Sequence, residues 1–168
     1  AERPDWLVVT GYTNDVILVR KQMQDAGLSA ALVTMVIGPS YREFTESIGA
    51  LAEGVTSAVW WHPVARYTGQ DVFGSTEKYV AAFRQKYGTD PDYANAVGSL
   101  AGSVLQAAIE KAGTTERKAV RDQLARMNLN TFFGPVAFDA NGMVNSYVPP
   151  VFQIQGGRSV VVYPASIA

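Results

Sequence analysis

The sequence predicts an α/β fold built on a parallel sheet, and three observations carry that expectation. Short apolar runs rich in β-branched residues lie at 6–10, 30–36 and 55–61. Between them, apolar residues recur at the three-and-four spacing of amphipathic helices. Glycine or proline stands at the boundaries, at Gly11, Gly27, Gly38-Pro39 and Gly54. Strand, helix, strand, helix, strand at this spacing makes two βαβ units with parallel strands and right-handed crossovers.

The elements follow in order. Trp6-Leu7-Val8-Val9-Thr10 reads as a buried strand closed by Gly11. Asn14 is the expected cap of the next helix, with Asp15 at the positive end of its dipole. Val16, Val19, Met23 and Ala26 form its apolar stripe, and Gly27 supplies a left-handed stop. After the second strand, Ser40-x-x-Glu43 predicts a capping box for a helix with Phe44, Ile48 and Leu51 on one face. The third strand runs to Trp60-Trp61, where His62-Pro63 stops the pattern. Residues 63–74 show no clean period and read as a connection. Ser75 then opens a helix with Tyr79, Phe83 and Tyr87 at steps of four, ending at Gly88.

The helix expected from Tyr93 to Ala112 carries no charged residue before Glu110. A membrane span is the alternative, but Asn95, Ser99, Ser103 and Gln106 interrupt a window at the short end for a bilayer. The Gly98-x-x-x-Gly102 spacing is therefore read as close packing on a sheet, in a helix that wants protein on nearly all sides. From Thr115 to Asn128 an amphipathic helix is expected, with Val120, Leu124 and Met127 inward. Val136-Ala137-Phe138, the turn Asp139-Ala140-Asn141-Gly142, and a hairpin from Val151 to Tyr163 through Gly156-Gly157 complete the chain.

Composition excludes several functions. With 14 basic and 15 acidic residues, a net charge of −1 gives no basic face for nucleic acid. No cysteine is present, so disulfides, thiol nucleophiles and cysteine zinc sites are absent. Charged residues make up 17% of the chain, below the usual quarter or so, leaving little solvating surface for 168 residues. Ala1-Glu2-Arg3-Pro4-Asp5 is polar and is not a signal peptide, so the chain is read as cytoplasmic, already processed, or cut from something larger.

Catalytic patterns are missing. The single histidine, His62, has no partner in an H-E-x-x-H motif, and no GxGxxG, Walker or GxSxG sequence occurs. The Asp139–Gly142 turn lacks the downstream glutamate of a calcium loop, and Glu43 and Glu46 read as solvated helix surface. No enzyme, no metal and no cofactor is expected. The informative residues are those at strand ends: 10–14, 34–38 and 60–63 carry aromatic and small polar side chains, and ligands of parallel α/β sheets sit beyond such ends.

Seven segments in order resemble one family. They are Pro4-Asp5-Trp6-Leu7-Val8-Val9-Thr10-Gly11-Tyr12, Lys21-Gln22-Met23-Gln24-Asp25-Ala26-Gly27-Leu28, Ala52-Glu53-Gly54-Val55, Phe83-Arg84-Gln85-Lys86-Tyr87-Gly88, the 93–113 helix, Gly134 to Gly142, and Phe152-Gln153-Ile154-Gln155-Gly156-Gly157. Together they resemble the C-terminal half of the branched-chain amino-acid (Leu/Ile/Val)-binding-like periplasmic substrate-binding proteins of ABC importers, the type I periplasmic binding proteins. The resemblance implies parts of two lobes: 1–61 with 151–168 in the second lobe, 64–146 in the first, and crossovers near 61–64 and 146–151. It implies a small-molecule ligand closed between lobes by hinge movement, membrane permease subunits and a missing N-terminal half as partners, and a periplasmic or otherwise extracytoplasmic place. A cytoplasmic ligand sensor of the same fold and an oligomeric interaction module are the alternatives.

The same resemblance implies site residues. Tyr12 matches a ligand-contacting aromatic after the strand glycine, and Tyr93 an aromatic contact from the other lobe. Met35 and Val36 fall where amino-acid binders carry an acid for the ligand's ammonium. No acid lies between Gly27 and Arg42, and a buried ammonium without a counter-charge is costly. Met35, Val36 and Trp61 suit an aromatic or aliphatic group on a carboxylate or amide.

Overall fold

The computed structural model describes residues 3–144 and 146–168. In chain order the elements are β1 (Trp6–Gly11), α1 (Thr13–Asp25), β2 (Leu32–Ile37), α2 (Arg42–Ile48), β3 (Thr56–Ala58), α3 (Thr76–Tyr87), α4 (Tyr93–Ala112), α5 (Arg117–Leu124), β4 (Asn128–Thr131), β5 (Gly134–Ala137), β6 (Val151–Gln155) and β7 (Arg158–Tyr163). Short 3-10 turns at Gly38–Ser40 and Gly49–Ala52 flank α2. The chain divides into two compact units: Ala1–Val64 with Pro149–Ala168, and Ala65–Val148.

The first unit is a five-stranded sheet in the order β1-β2-β3-β6-β7. β1, β2 and β3 are parallel, while β6 and β7 join antiparallel. The βαβ reading therefore holds for the first three strands, and the C-terminal hairpin extends the same sheet. Alternation sets its two faces. Met35, Phe152, Ile154 and Val161 are buried on one, in the interior shared with Val16 and Met23 of α1 and Phe44 and Ile48 of α2. Trp6, Val8, Leu32 and Val160 lie exposed on the other.

Local capping departs from expectation at two helices. Tyr12, not Asn14, is the N-cap of α1, because the Asp15 carboxylate reaches back to accept the Tyr12 N–H at 3.0 Å. Ser40 does not cap α2: its hydroxyl donates to the Ile37 carbonyl at 2.6 Å, and Tyr41 takes the cap position. The third strand is three residues long rather than seven, since Val59 bonds to the Pro150 carbonyl outside the ladder.

The second unit packs α3, α4 and α5 with the β4–β5 hairpin. Ser75 caps α3 as expected, accepting the Lys78 N–H, and Gly88 ends it in the left-handed conformation. α4 begins with reciprocal bonds between Asp92 and Asn95. Its glycines do not pack on a sheet: a Cβ built at Gly98 or Gly102 meets nothing within 4 Å. The helix expected over 115–128 ends at Leu124, and Asn128–Thr131 is a strand that the helical period concealed. Pairing with β5 outweighs helix continuation there. Among the described residues no helix is long and apolar enough to cross a membrane.

The 67–76 connection is fastened to the hairpin rather than loose. Gln70 donates to the Asn130 carbonyl at 2.8 Å, and the Asp71 carboxylate accepts the N–H of Phe132 at 2.6 Å and of Phe73 at 2.8 Å. The Thr76 hydroxyl donates to the Phe132 carbonyl at 2.7 Å, and the Phe132 ring stacks on Tyr79 at 4.1 Å. Gly69 crosses so close to β4 that a Cβ would stand 2.3 Å from the Asn130 oxygen and 2.4 Å from the Thr131 Cα. Both are backbone atoms, so Gly69→Ala should cost about 2 kcal/mol or more. A thermal melt checks this, and an unchanged midpoint would show that the crossing has slack.

Candidate functional site

The three parallel strands end along one edge, and the expected site residues of the first unit gather there. Thr10 stands opposite Val36 and Gly11 opposite Ile37. Tyr12 follows at the start of α1 and is 78% exposed. Val36 is half-buried, whereas Met35 and Trp61 have no exposed surface. Trp61 lies in the segment that leaves β3, beside the exposed Trp60. Tyr93 belongs to the second unit, where it is the half-buried first residue of α4. The structure thus brings Tyr12, Met35 and Val36 to one strand-end edge with Trp61 in its continuation.

Ile37 holds the least ordinary backbone of that edge. Its φ of 72° and ψ of −64° give it the only positive φ of a non-glycine residue among those described. For a β-branched side chain this is strained, typically by about 1–3 kcal/mol. Two features hold it. The Ser40 hydroxyl fixes the Ile37 carbonyl, and Gly38 is buried so tightly that a Cβ would stand 2.2 Å from Val16 Cγ2 and 3.2 Å from the Thr13 Cα. The chain leaving β2 can pass under the first turn of α1 only without a side chain. The sequence signalled Gly38-Pro39 as a break; nothing in an isoleucine signals an inverted backbone.

Across the exposed face, a polar ladder ties the strands together. The Trp6 indole N–H donates to the Thr34 hydroxyl at 2.9 Å, and Thr34 and Thr56 share a hydrogen bond of 2.8 Å. On the buried face Ser57 Oγ has no hydrogen-bond partner. The strand-end edge holds no carboxylate from β2 onward to α2, and Asp15 is engaged with the Tyr12 backbone.

His62 is a packing residue in this geometry. Its ring lies 4.7 Å from that of Phe152, and Nδ1 accepts the Val64 N–H at 3.3 Å. Burial disfavours the charged form and lowers its pKa to about 4. Asp139 accepts the N–H groups of Asn141 and Met143 and so serves a turn. Among the described residues no group of three or more His, Asp or Glu side chains could hold a metal ion.

Parallel strands ending at an exposed edge, followed directly by a helix N-terminus, place the first unit among α/β folds that take ligands at strand ends. The family follows from direct comparison. Residues 1–158 match the periplasmic binding protein family, and the chain belongs to it. A leucine-binding protein, LivK, of Thermotoga maritima is 26% identical over 94% of this chain, with a TM-score of 0.76. The branched-chain amino-acid transporter substrate-binding protein LivJ of Streptococcus pneumoniae, solved with isoleucine, is 19% identical over 95%, with a TM-score of 0.69. An extracellular ligand-binding receptor of Rhodopseudomonas palustris is 20% identical over 94%, with a TM-score of 0.76. The fold is that of type I periplasmic binding proteins, with a mixed sheet and flanking helices. The chain spans less than half of each of these proteins: 43%, 45% and 48% of their lengths, respectively.

Two outcomes are expected from this site. Relief of backbone strain should invert the usual order of small residues at position 37: Ile37→Gly should be more stable than Ile37→Ala by about 1 kcal/mol, whereas alanine ordinarily outranks glycine. Chemical denaturation of the pair decides it, and the ordinary order would show that no strain is stored. For His62, the folded pKa lies below the unfolded value, so the unfolded chain binds the proton first as pH falls. Its contribution to stability is present above pH 6.5 and is lost towards pH 4, at up to about 1.4 kcal/mol per pH unit. The stability profile of His62→Asn should be flatter than that of the unaltered chain across this window, and parallel profiles would contradict the assignment.

Proposed function

We propose that this chain provides part of the solute-binding component of an ABC importer, acting outside the cytoplasm and performing no chemistry on its ligand. The observation that carries this reading is the strand-end edge of the first unit: an exposed Tyr12 just past β1, whose Thr10 stands opposite Val36, in a chain of the periplasmic binding protein family. Tyr12 and Val36 are the side chains offered to the ligand from this edge, and Met35 and Trp61 form its packed bed. Within the second unit, taken by itself, Tyr93 at the start of α4 is the candidate aromatic contact. In a protein of full family length, ligand binding would favour a closed state by hinge movement, and membrane permease subunits would recognise that state.

The ligand class follows from charge. An α-amino acid brings an ammonium, which needs an acidic partner when desolvated. No acid stands between Gly27 and Arg42, where the family resemblance places the acidic partner of amino-acid binders. The ligand is therefore a small aliphatic or aromatic carboxylate or amide, related in shape to an amino acid and lacking its cationic group.

Paired probes test this in a polypeptide of full family length that contains the chain. Leucine and 4-methylpentanoate differ only in the amino group. Isothermal titration calorimetry should show the deaminated acid binding at least about tenfold more tightly, and Tyr12→Ala should weaken it by a similar factor. Tighter binding of leucine would overturn the ligand class. Saturable binding by the isolated 168 residues would overturn the expectation that a complete protein is required.

A further inference from the structure

We propose that Tyr147 anchors the segment by which the chain leaves the second unit, and that its seat on Gly134 beside Tyr67 confines bending between the units to 64–66 and 148–149. The chain passes from one unit to the other at 64–65 and again at 148–149. All the contacts concerned lie inside one unit or the other.

Gly134 opens β5 with a φ of 128°. A Cβ there would stand 2.7 Å from Tyr147 Cε2 and 3.4 Å from Tyr67 Cε1, so both rings lie over the bare backbone of one glycine. The Tyr67 hydroxyl donates to the Tyr147 hydroxyl at 3.4 Å, and the Phe133 ring lies 5.7 Å from that of Tyr147. Burial pushes the pKa of both phenols up, so the pair stays uncharged. Tyr67 is itself fixed through its backbone. Its N–H donates to the Thr76 hydroxyl at 3.1 Å, and its carbonyl accepts the Thr76 N–H at 3.0 Å. The entry is thus held by main chain, and the Tyr147 ring joins the exit to it.

The same two segments are tied within the first unit. The Val59 N–H donates to the Pro150 carbonyl at 3.2 Å, and His62 packs on Phe152 while accepting the Val64 N–H. Between the ties the exit consists of Val148 and Pro149. Pro149 has a fixed φ, and Val148 and Pro149 each precede a proline, which restricts them to extended backbone. Few soft rotations remain there. The limit on bending rests on the hinge movement proposed above; the anchor itself does not.

Amide relaxation in a ligand-free, isotope-labelled polypeptide of full family length tests the anchor. Ser146, Tyr147 and Val148 should have order parameters of about 0.85, and Tyr147→Ala should lower them to about 0.6 or less, with Phe132 and Phe133 unchanged. Gly134→Ala should do the same by unseating the ring, and Tyr147→Ser repeats the loss with Gly134 intact should that variant fold poorly. Tyr147→Phe, which keeps the ring, should retain the order. Spin labels on α1 and α5 should show a wider distribution of distances in Tyr147→Ala than in the unaltered protein. Low order at 146–148 in the unaltered protein, or order that survives Tyr147→Ala, would overturn the anchor. Lost order with no widening would overturn the limit on bending. Neither readout involves a ligand, so failure of the ligand class leaves both intact.

Discussion

The close passage of Gly38 beneath the first turn of α1 governs the geometry of the first unit. Val16 Cγ2 and the Thr13 Cα leave no room for a side chain at that point. The consequence reaches in both directions. It fixes where α1 begins relative to the end of β2, which places Tyr12 at the strand-end edge. It also forces the chain to turn through Ile37, whose inverted backbone is then pinned by the Ser40 hydroxyl. A small, rigid constraint of this kind can hold a binding edge on sheet and helix rather than on loop, where positions are less well defined.

The electrostatics of that edge are defined by absence and by engagement. Carboxylates are missing from the β2 side, and the Asp15 carboxylate, still anionic, accepts the Tyr12 N–H at the helix cap. What remains is an aromatic ring, an aliphatic side chain and backbone, supported by fully buried Met35 and Trp61. On the reading proposed above, such a surface would discriminate chiefly by charge, accepting apolar bulk and leaving a desolvated ammonium unpaired. Relatives named for leucine, or solved with isoleucine, share the fold. A shared fold is compatible with several ligand chemistries, because function resides in the side chains a fold carries rather than in the fold.

Much of the fold was legible because local and long-range signals agreed. The first two βαβ crossovers, the Ser75 and Gly88 boundaries of α3, and the extent of α4 follow from apolar period and glycine position. Legibility failed where tertiary contacts redirected a local signal. Ser40 resembled a helix cap, but its hydroxyl is used backwards on Ile37. Asn128–Thr131 continued a helical period, but the β4–β5 ladder claims it. Gly98 and Gly102 indicated close packing, and the structure leaves both facing open space. At the site, Tyr12, Met35, Val36, Trp61 and Tyr93 were reached through family resemblance. The strain at Ile37 was invisible, since residue type carries no record of a backbone imposed by its neighbours. The low share of charged residues acquires a physical basis in the bare sheet face and the uncharged side of α4.

The most direct test of the proposed ligand edge is a residue-resolved map of where a deaminated branched-chain acid binds. Amide chemical-shift perturbation by 4-methylpentanoate, in an isotope-labelled polypeptide of full family length, provides it. Shifts concentrated at residues 10–13 and 36–40, with the Tyr12 ring among the most affected signals, are the predicted result. Shifts centred on the 139–143 turn or on α5, with residues 10–13 and 36–40 unmoved, would contradict it.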